Sequence, residues 1–117
     1  ENAEAPEANA LNEAEVISDV LCLIEAHFNI TIDRAGFNCS RFVTHMEYLL
    51  ARIRNHEILD HDNEKLFSTL QRDYPEICEC AQMIRSYLCR RTEQELGSEE
   101  LVYLMLHIER LCAREQG

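Results

Sequence analysis

At 117 residues, with 11 Lys+Arg against 22 Asp+Glu, the chain carries a formal net charge of −11, which disfavours a surface that binds nucleic-acid phosphates, since such binding draws on a basic patch. The length suits one domain with a core of its own, and 3 Gly and 2 Pro are too few for the turns of an all-β fold. No apolar run approaches the roughly 20 residues of a membrane span, and nothing reads as a secretory signal.

Residues 1–10 (ENAEAPEANA) lack any large apolar side chain and include Pro6, which predicts a linker or tail. Eight acids and no Lys or Arg fall within residues 1–33, so most of the net charge sits at that end, as a solvated acidic face plus the tail. A helix is predicted from Leu11 to about Phe28, where Val16, Ile17, Val20, Leu21, Leu23 and Ile24 recur at helical spacing. The β-branched run Ile30, Thr31, Ile32 and then Gly36 predict a connector. A second helix is expected over roughly Cys39–His56, capped by Asn38 or Ser40.

Glu57–Asn63 reads as an acidic loop, and a short third helix as running from about Asn63 to Asp73 with Leu66, Phe67 and Leu70 on its apolar face. Pro75 suits the first turn of a fourth helix, which is expected to reach about Glu95. Gly97 then ends it, and Ser98 is expected to cap a fifth helix with Glu99 and Glu100 placed well for its dipole. The predicted fold is an all-α, compact five-helix bundle over residues 11–115.

The six cysteines show no CxxC pair, and most lie inside apolar helical runs, where a reduced Cys behaves as a small core residue. Cys78 and Cys80 would point about 200° apart on a helix, too far to share a metal ion. No metal or other cofactor is expected, and the cytosol is the expected compartment.

Two of the predicted helices share an octad. The second reads His45-Met46-Glu47-Tyr48-Leu49-Leu50-Ala51-Arg52 and the fifth His107-Ile108-Glu109-Arg110-Leu111-Cys112-Ala113-Arg114, with five of eight positions identical. At about 100° per residue, each histidine sits at the edge of its helix's apolar face, about 85–100° from its centre. Arg41 and Arg52 lie on the stripe of His45, and Arg110 and Arg114, with Tyr103 nearby, on that of His107. An imidazole's ordinary pKa of about 6.5 leaves much of it neutral and nucleophilic at cytosolic pH. Guanidinium groups beside it can hold a phosphoryl dianion. The pattern suits a phosphate-accepting histidine, but geometry alone fits better a boundary histidine bonded to a neighbour beside solvated arginines.

His56 lies on nearly the same stripe as His45 but is expected to close the helix, and His27 invites a similar reading. His61, between Asp60 and Asp62, reads as part of a solvated loop. No Gly-rich phosphate loop, GxSxG elbow or HExxH is present.

The stretches Ser40-Arg41-Phe42-Val43-Thr44-His45 through Leu50-Ala51-Arg52-Ile53, and Glu100 through Arg110, resemble the two histidine motifs of a PTS regulation domain, or PRD. Asp73-Tyr74-Pro75 is also similar to that family, and the resemblance covers roughly residues 12–115. It is strongest to the second such domain of bacterial β-glucoside-type transcriptional antiterminators. Residues 1–4 resemble the segment that follows the preceding regulatory domain. The resemblance implies a dimerising five-helix module, with no enzymatic activity, phosphorylated on His45 and His107. The implied donor is HPr, the small carrier of the sugar phosphotransferase system, with Enzyme II components as further partners. It implies no direct nucleic-acid or membrane contact, the RNA-binding output lying in a separate N-terminal domain.

Members of the family that the chain resembles differ in which of their histidines is used, some lack the second, and related domains occur in DNA-binding activators. A purely structural dimerisation module and, more weakly, an enzyme that passes phosphate onward are the competing readings.

Overall fold

A computed structural model describes the backbone of residues 11–59 and 63–116 and the side chains of 11–59 and 63–113. The expected tail over residues 1–10 and the loop histidine His61 therefore lie outside the described residues. Among the described residues, five helices follow in chain order: α1 (Glu13–Phe28), α2 (Phe37–Arg54), α3 (Glu64–Asp73), α4 (Pro75–Thr92) and α5 (Ser98–Gln116). The described residues contain no strand, and none of these helices is long and apolar enough to cross a membrane. The fold is an all-α five-helix bundle.

Asn12 starts α1 by accepting the Glu15 N–H on its side-chain oxygen at 3.1 Å. The helix then buries Val16, Ile17, Val20, Leu21 and Ile24, one stripe at the helical period. It ends at Asn29, whose left-handed backbone (φ 57°) is among the conformations Asn tolerates best. The following connector is tied back to α1 through Glu25. Its carboxylate accepts the Ile32 N–H at 2.8 Å and two Arg34 N–H groups at 3.0 and 3.1 Å, holding Ile32 in the core. The backbone bond and the Arg34 guanidinium hold the Glu25 carboxyl below its usual pKa.

The second helix starts earlier than its sequence suggests. Asp33 accepts the Ala35 N–H on its side chain and the Gly36 N–H on its carbonyl, a tight turn that makes Gly36 the N-cap in place of Asn38 or Ser40. A Cβ at Gly36 would stand 3.1 Å from the Asp33 carboxylate, so the turn favours glycine by close approach. At the other end the chain closes in a Schellman motif. Glu57 N–H donates to Arg52 C=O and His56 N–H to Ile53 C=O, with His56 itself in the left-handed region (φ 58°).

Pro75 occupies the first turn of α4, where its missing N–H costs nothing. That helix stops at Thr92 rather than near Glu95. Glu93 turns left-handed, Gln94 donates its side-chain amide to Ile53 C=O, and Leu96 drops into the core. Ser98 is the first residue of α5 and does not cap it. Its hydroxyl accepts the Asn63 N–H at 3.2 Å, while the Leu101 N–H donates to Gly97 C=O.

Helix α5 packs on α4, α2 and α3, and α1 packs on α4 and α2. Their shared core includes Val20, Ile24, Leu49, Leu50, Ile84, Leu88, Leu104 and Ile108. Cys39, Cys78, Cys80 and Cys112 are buried in it without forming disulfides, as the sequence predicts. Burial pushes the Cys80 thiol up to about 12, so it stays protonated.

Candidate functional site

The facing pair α2–α5 places the two octads side by side. His45 and His107 stack with ring centroids 3.9 Å apart and planes 18° from parallel. The two are 62 positions apart in sequence and meet because each lies at the rim of its helix's apolar stripe, where the stripes converge. His107 is the deeper ring, 7% exposed, and His45 is half-buried.

Tyr103, one helical turn before His107, closes the cluster. Its ring stands 4.6 Å from His107 and 6.2 Å from His45, both edge-on. Its hydroxyl donates to the His45 backbone carbonyl at 2.8 Å and lies 3.5 Å from His45 Nδ1. Tyr48, on α2, meets His45 edge-on at 5.8 Å.

Arg52 lies against the Tyr103 ring, its guanidinium carbon 4.5 Å from the ring centroid. The same guanidinium grips Glu100 with two bonds, Nε to Oε2 at 3.0 Å and Nη2 to Oε1 at 2.7 Å. Glu100 is completely buried and also accepts the Leu59 N–H at 2.9 Å. One carboxylate thus ties α2, α5 and the chain after α2 together. Its hydrogen bond to Arg52 also raises the Arg52 pKa.

Electrostatics set the protonation state of His107. Burial, then the neighbouring His45, then Arg110, Arg41 and Arg52 lower the His107 pKa from 6.5 to about 4, so this ring is neutral across the physiological range. Burial, the largest of these causes, opposes charge of either sign, whereas the positive field of Arg110, Arg41 and Arg52 favours an anion nearby.

Of the arginines expected around the histidines, Arg52 is engaged by Glu100, and Arg41 lies with its guanidinium carbon 5.6 Å from the Phe37 ring centroid. Arg110 is exposed, and the Arg114 side chain lies outside the described residues. His56 is fixed in the turn after α2, and His27 stands 3.8 Å from the Glu79 carboxylate. The sequence reading treated Glu100 only as a first-turn acid and Tyr103 only as a neighbour. Glu100 lies three residues before Tyr103, and Tyr103 four before His107, which places all three on one helical face and is the signal available in the sequence.

The PRD domain family matches this chain over residues 18–111. A transcription antiterminator of Bacillus subtilis (strain 168), LicT, is 33% identical over 110 residues, covering 94% of this chain and 39% of that protein. The beta-glucoside operon antiterminator of Dickeya chrysanthemi is 26% identical over 101 residues, covering 86% of this chain and 36% of its own length. Protein GlcT of Staphylococcus aureus (strain Newman) is 27% identical over 93 residues, covering 80% and 32%. The chain spans less than two fifths of each of these curated relatives.

Proposed function

The chain belongs to the PRD family, and from that membership we propose that it is the phosphate-sensing domain of a sugar-responsive transcriptional antiterminator. The proposed domain spans residues 11–115, with residues 1–10 as the joint to a preceding domain. His45 and His107 accept phosphate from HPr, with Enzyme II components as possible further donors. The domain has no catalytic turnover of its own, works in the cytoplasm and associates as a homodimer. RNA binding belongs to another part of the protein, in keeping with the net charge of −11.

The observation that carries this reading is the imidazole stack between α2 and α5, set among arginines in a family whose relatives here are antiterminators. A phosphoryl group adds about −1.5 to −2 charges. Placed on one of two rings 3.9 Å apart, it must change how the two helices meet or what covers them. Arg41, Arg52, Arg110 and Arg114 are the proposed phosphate-stabilising groups, Arg52 contributing its charge while it keeps the buried Glu100.

The test is incubation with phosphoenolpyruvate, Enzyme I and HPr, with intact mass and sedimentation equilibrium read on the same sample. The expected result is acid-labile phosphate together with a changed dimer constant. No uptake, with the donor system active on a known target, would leave a purely structural dimerisation module as the better account.

A further inference from the structure

We propose that Tyr103 is a positioning residue that holds His45 as the Nδ1–H tautomer, so that Nε2 of His45 is the nitrogen that takes the phosphoryl group. The inference rests on the phosphorylation reading above for its second half only; the tautomer is a property of the unmodified protein.

The argument is one of proton counting. A tyrosine hydroxyl has a single proton and two acceptor lone pairs. The Tyr103 proton is committed to the His45 carbonyl, 2.8 Å away. Toward His45 Nδ1, 3.5 Å away, the hydroxyl therefore presents oxygen lone pairs. A lone pair of Nδ1 facing that oxygen would be repelled, whereas an Nδ1–H is attracted. The tautomer follows, and it leaves the Nε2 lone pair available. It is the opposite of the Nε2–H form that a free histidine side chain prefers.

The surroundings fix this geometry rather than merely permitting it. Tyr103 touches both the His107 ring and the Arg52 guanidinium, and Arg52 is in turn held by the buried Glu100. His107 covers one face of the His45 ring, and Tyr48 meets it edge-on. Ring rotation that would put Cδ2 in the place of Nδ1 has to break the stack. His107, at 7% exposure, lies beneath the more exposed ring, so an incoming phosphohistidine of a carrier protein meets His45 first.

In the transfer, the Nε2 lone pair forms the new N–P bond. The N–P bond of the donor ring breaks, and its electron pair stays on that ring as the restored lone pair. The Nδ1 proton of His45 remains in place, facing the Tyr103 oxygen, and stabilises the positive charge the ring acquires.

Long-range proton–nitrogen correlation on the unmodified chain, labelled with nitrogen-15 in histidine and assigned with a His45→Gln spectrum, reads the tautomer directly. The expected spectrum has a pyrrole-type Nδ1 and a pyridine-type Nε2 for His45. In Tyr103→Phe, which keeps the ring and removes the hydroxyl, the two should move toward the inverse pattern. After phosphorylation by the carrier system, nitrogen–phosphorus coupling should appear at Nε2. A parent protein with Nε2–H, or phosphate on Nδ1 of His45, overturns the proposal. So does an unchanged tautomer in folded Tyr103→Phe. If that variant does not fold, the parent tautomer and the coupled nitrogen decide alone. An Nδ1–H tautomer with no phosphate uptake refutes the functional reading and leaves the positioning role of Tyr103 upheld.

Discussion

His107 is buried as a neutral base, and this makes stability depend on pH with a definite sign. Its pKa falls from 6.5 to about 4 on folding, so between those values the unfolded chain binds a proton that the native one does not. The stability is fully present above about pH 6.5 and is lost as pH falls toward 4, by an amount on the order of 3 kcal/mol. Urea unfolding of the parent and of His107→Gln should show the parent losing more stability than the variant over that window. A gap independent of pH would contradict the burial argument. The Arg52–Glu100 pair makes a second residue-scale prediction. Arg52→Met leaves a wholly buried carboxylate without its partner and should cost about 3–5 kcal/mol in denaturant unfolding. Adding Glu100→Leu should recover much of that loss, and strictly additive losses would show that the pair is not coupled. The histidines were legible from the sequence because a repeated octad and a helical period locate them. The partner of Arg52 was not, since nothing local joins two residues 48 positions apart.

Helix existence was written in the apolar periodicity, whereas helix ends were decided by contacts that periodicity does not contain. Asp33 moved the start of α2 to Gly36 by accepting the amide of Ala35. The carbonyl of Ile53 draws the Gln94 side chain, and the core takes Leu96, so α4 stops at Thr92. Ser98, an evident cap by residue type, serves Asn63 instead of its own helix. The turn after α2 carries its own test. His56 holds a left-handed conformation that costs an L-residue roughly 1–2 kcal/mol, partly offset for glycine by greater freedom when unfolded. His56→Gly should therefore raise stability by up to about 1 kcal/mol, read as a higher urea midpoint with phosphate uptake unchanged. A loss of uptake would mean that His56 belongs to the site.

Across the whole molecule, the bundle joins its helices differently on its two sides. The α1–α4 contact is braced by polar groups. Tyr87 donates to Asp19, and Arg91 reaches the Tyr87 hydroxyl at 2.8 Å and Glu15 at 3.3 Å. The α2–α5 contact instead carries the two imidazoles, Tyr103 and the buried Arg52–Glu100 pair, so a charge added there acts on a seam shared by two long helices. That difference makes the histidine seam the place where, in the proposed function, a phosphoryl group would act. The most direct measurement is peptide mapping under alkaline conditions after treatment with phosphoenolpyruvate, Enzyme I and HPr, which locates the phosphate by residue. Phosphate on His45, with or without His107, is the predicted result. Phosphate confined to His27, His56 or His61, or none while HPr itself is phosphorylated, would contradict the account.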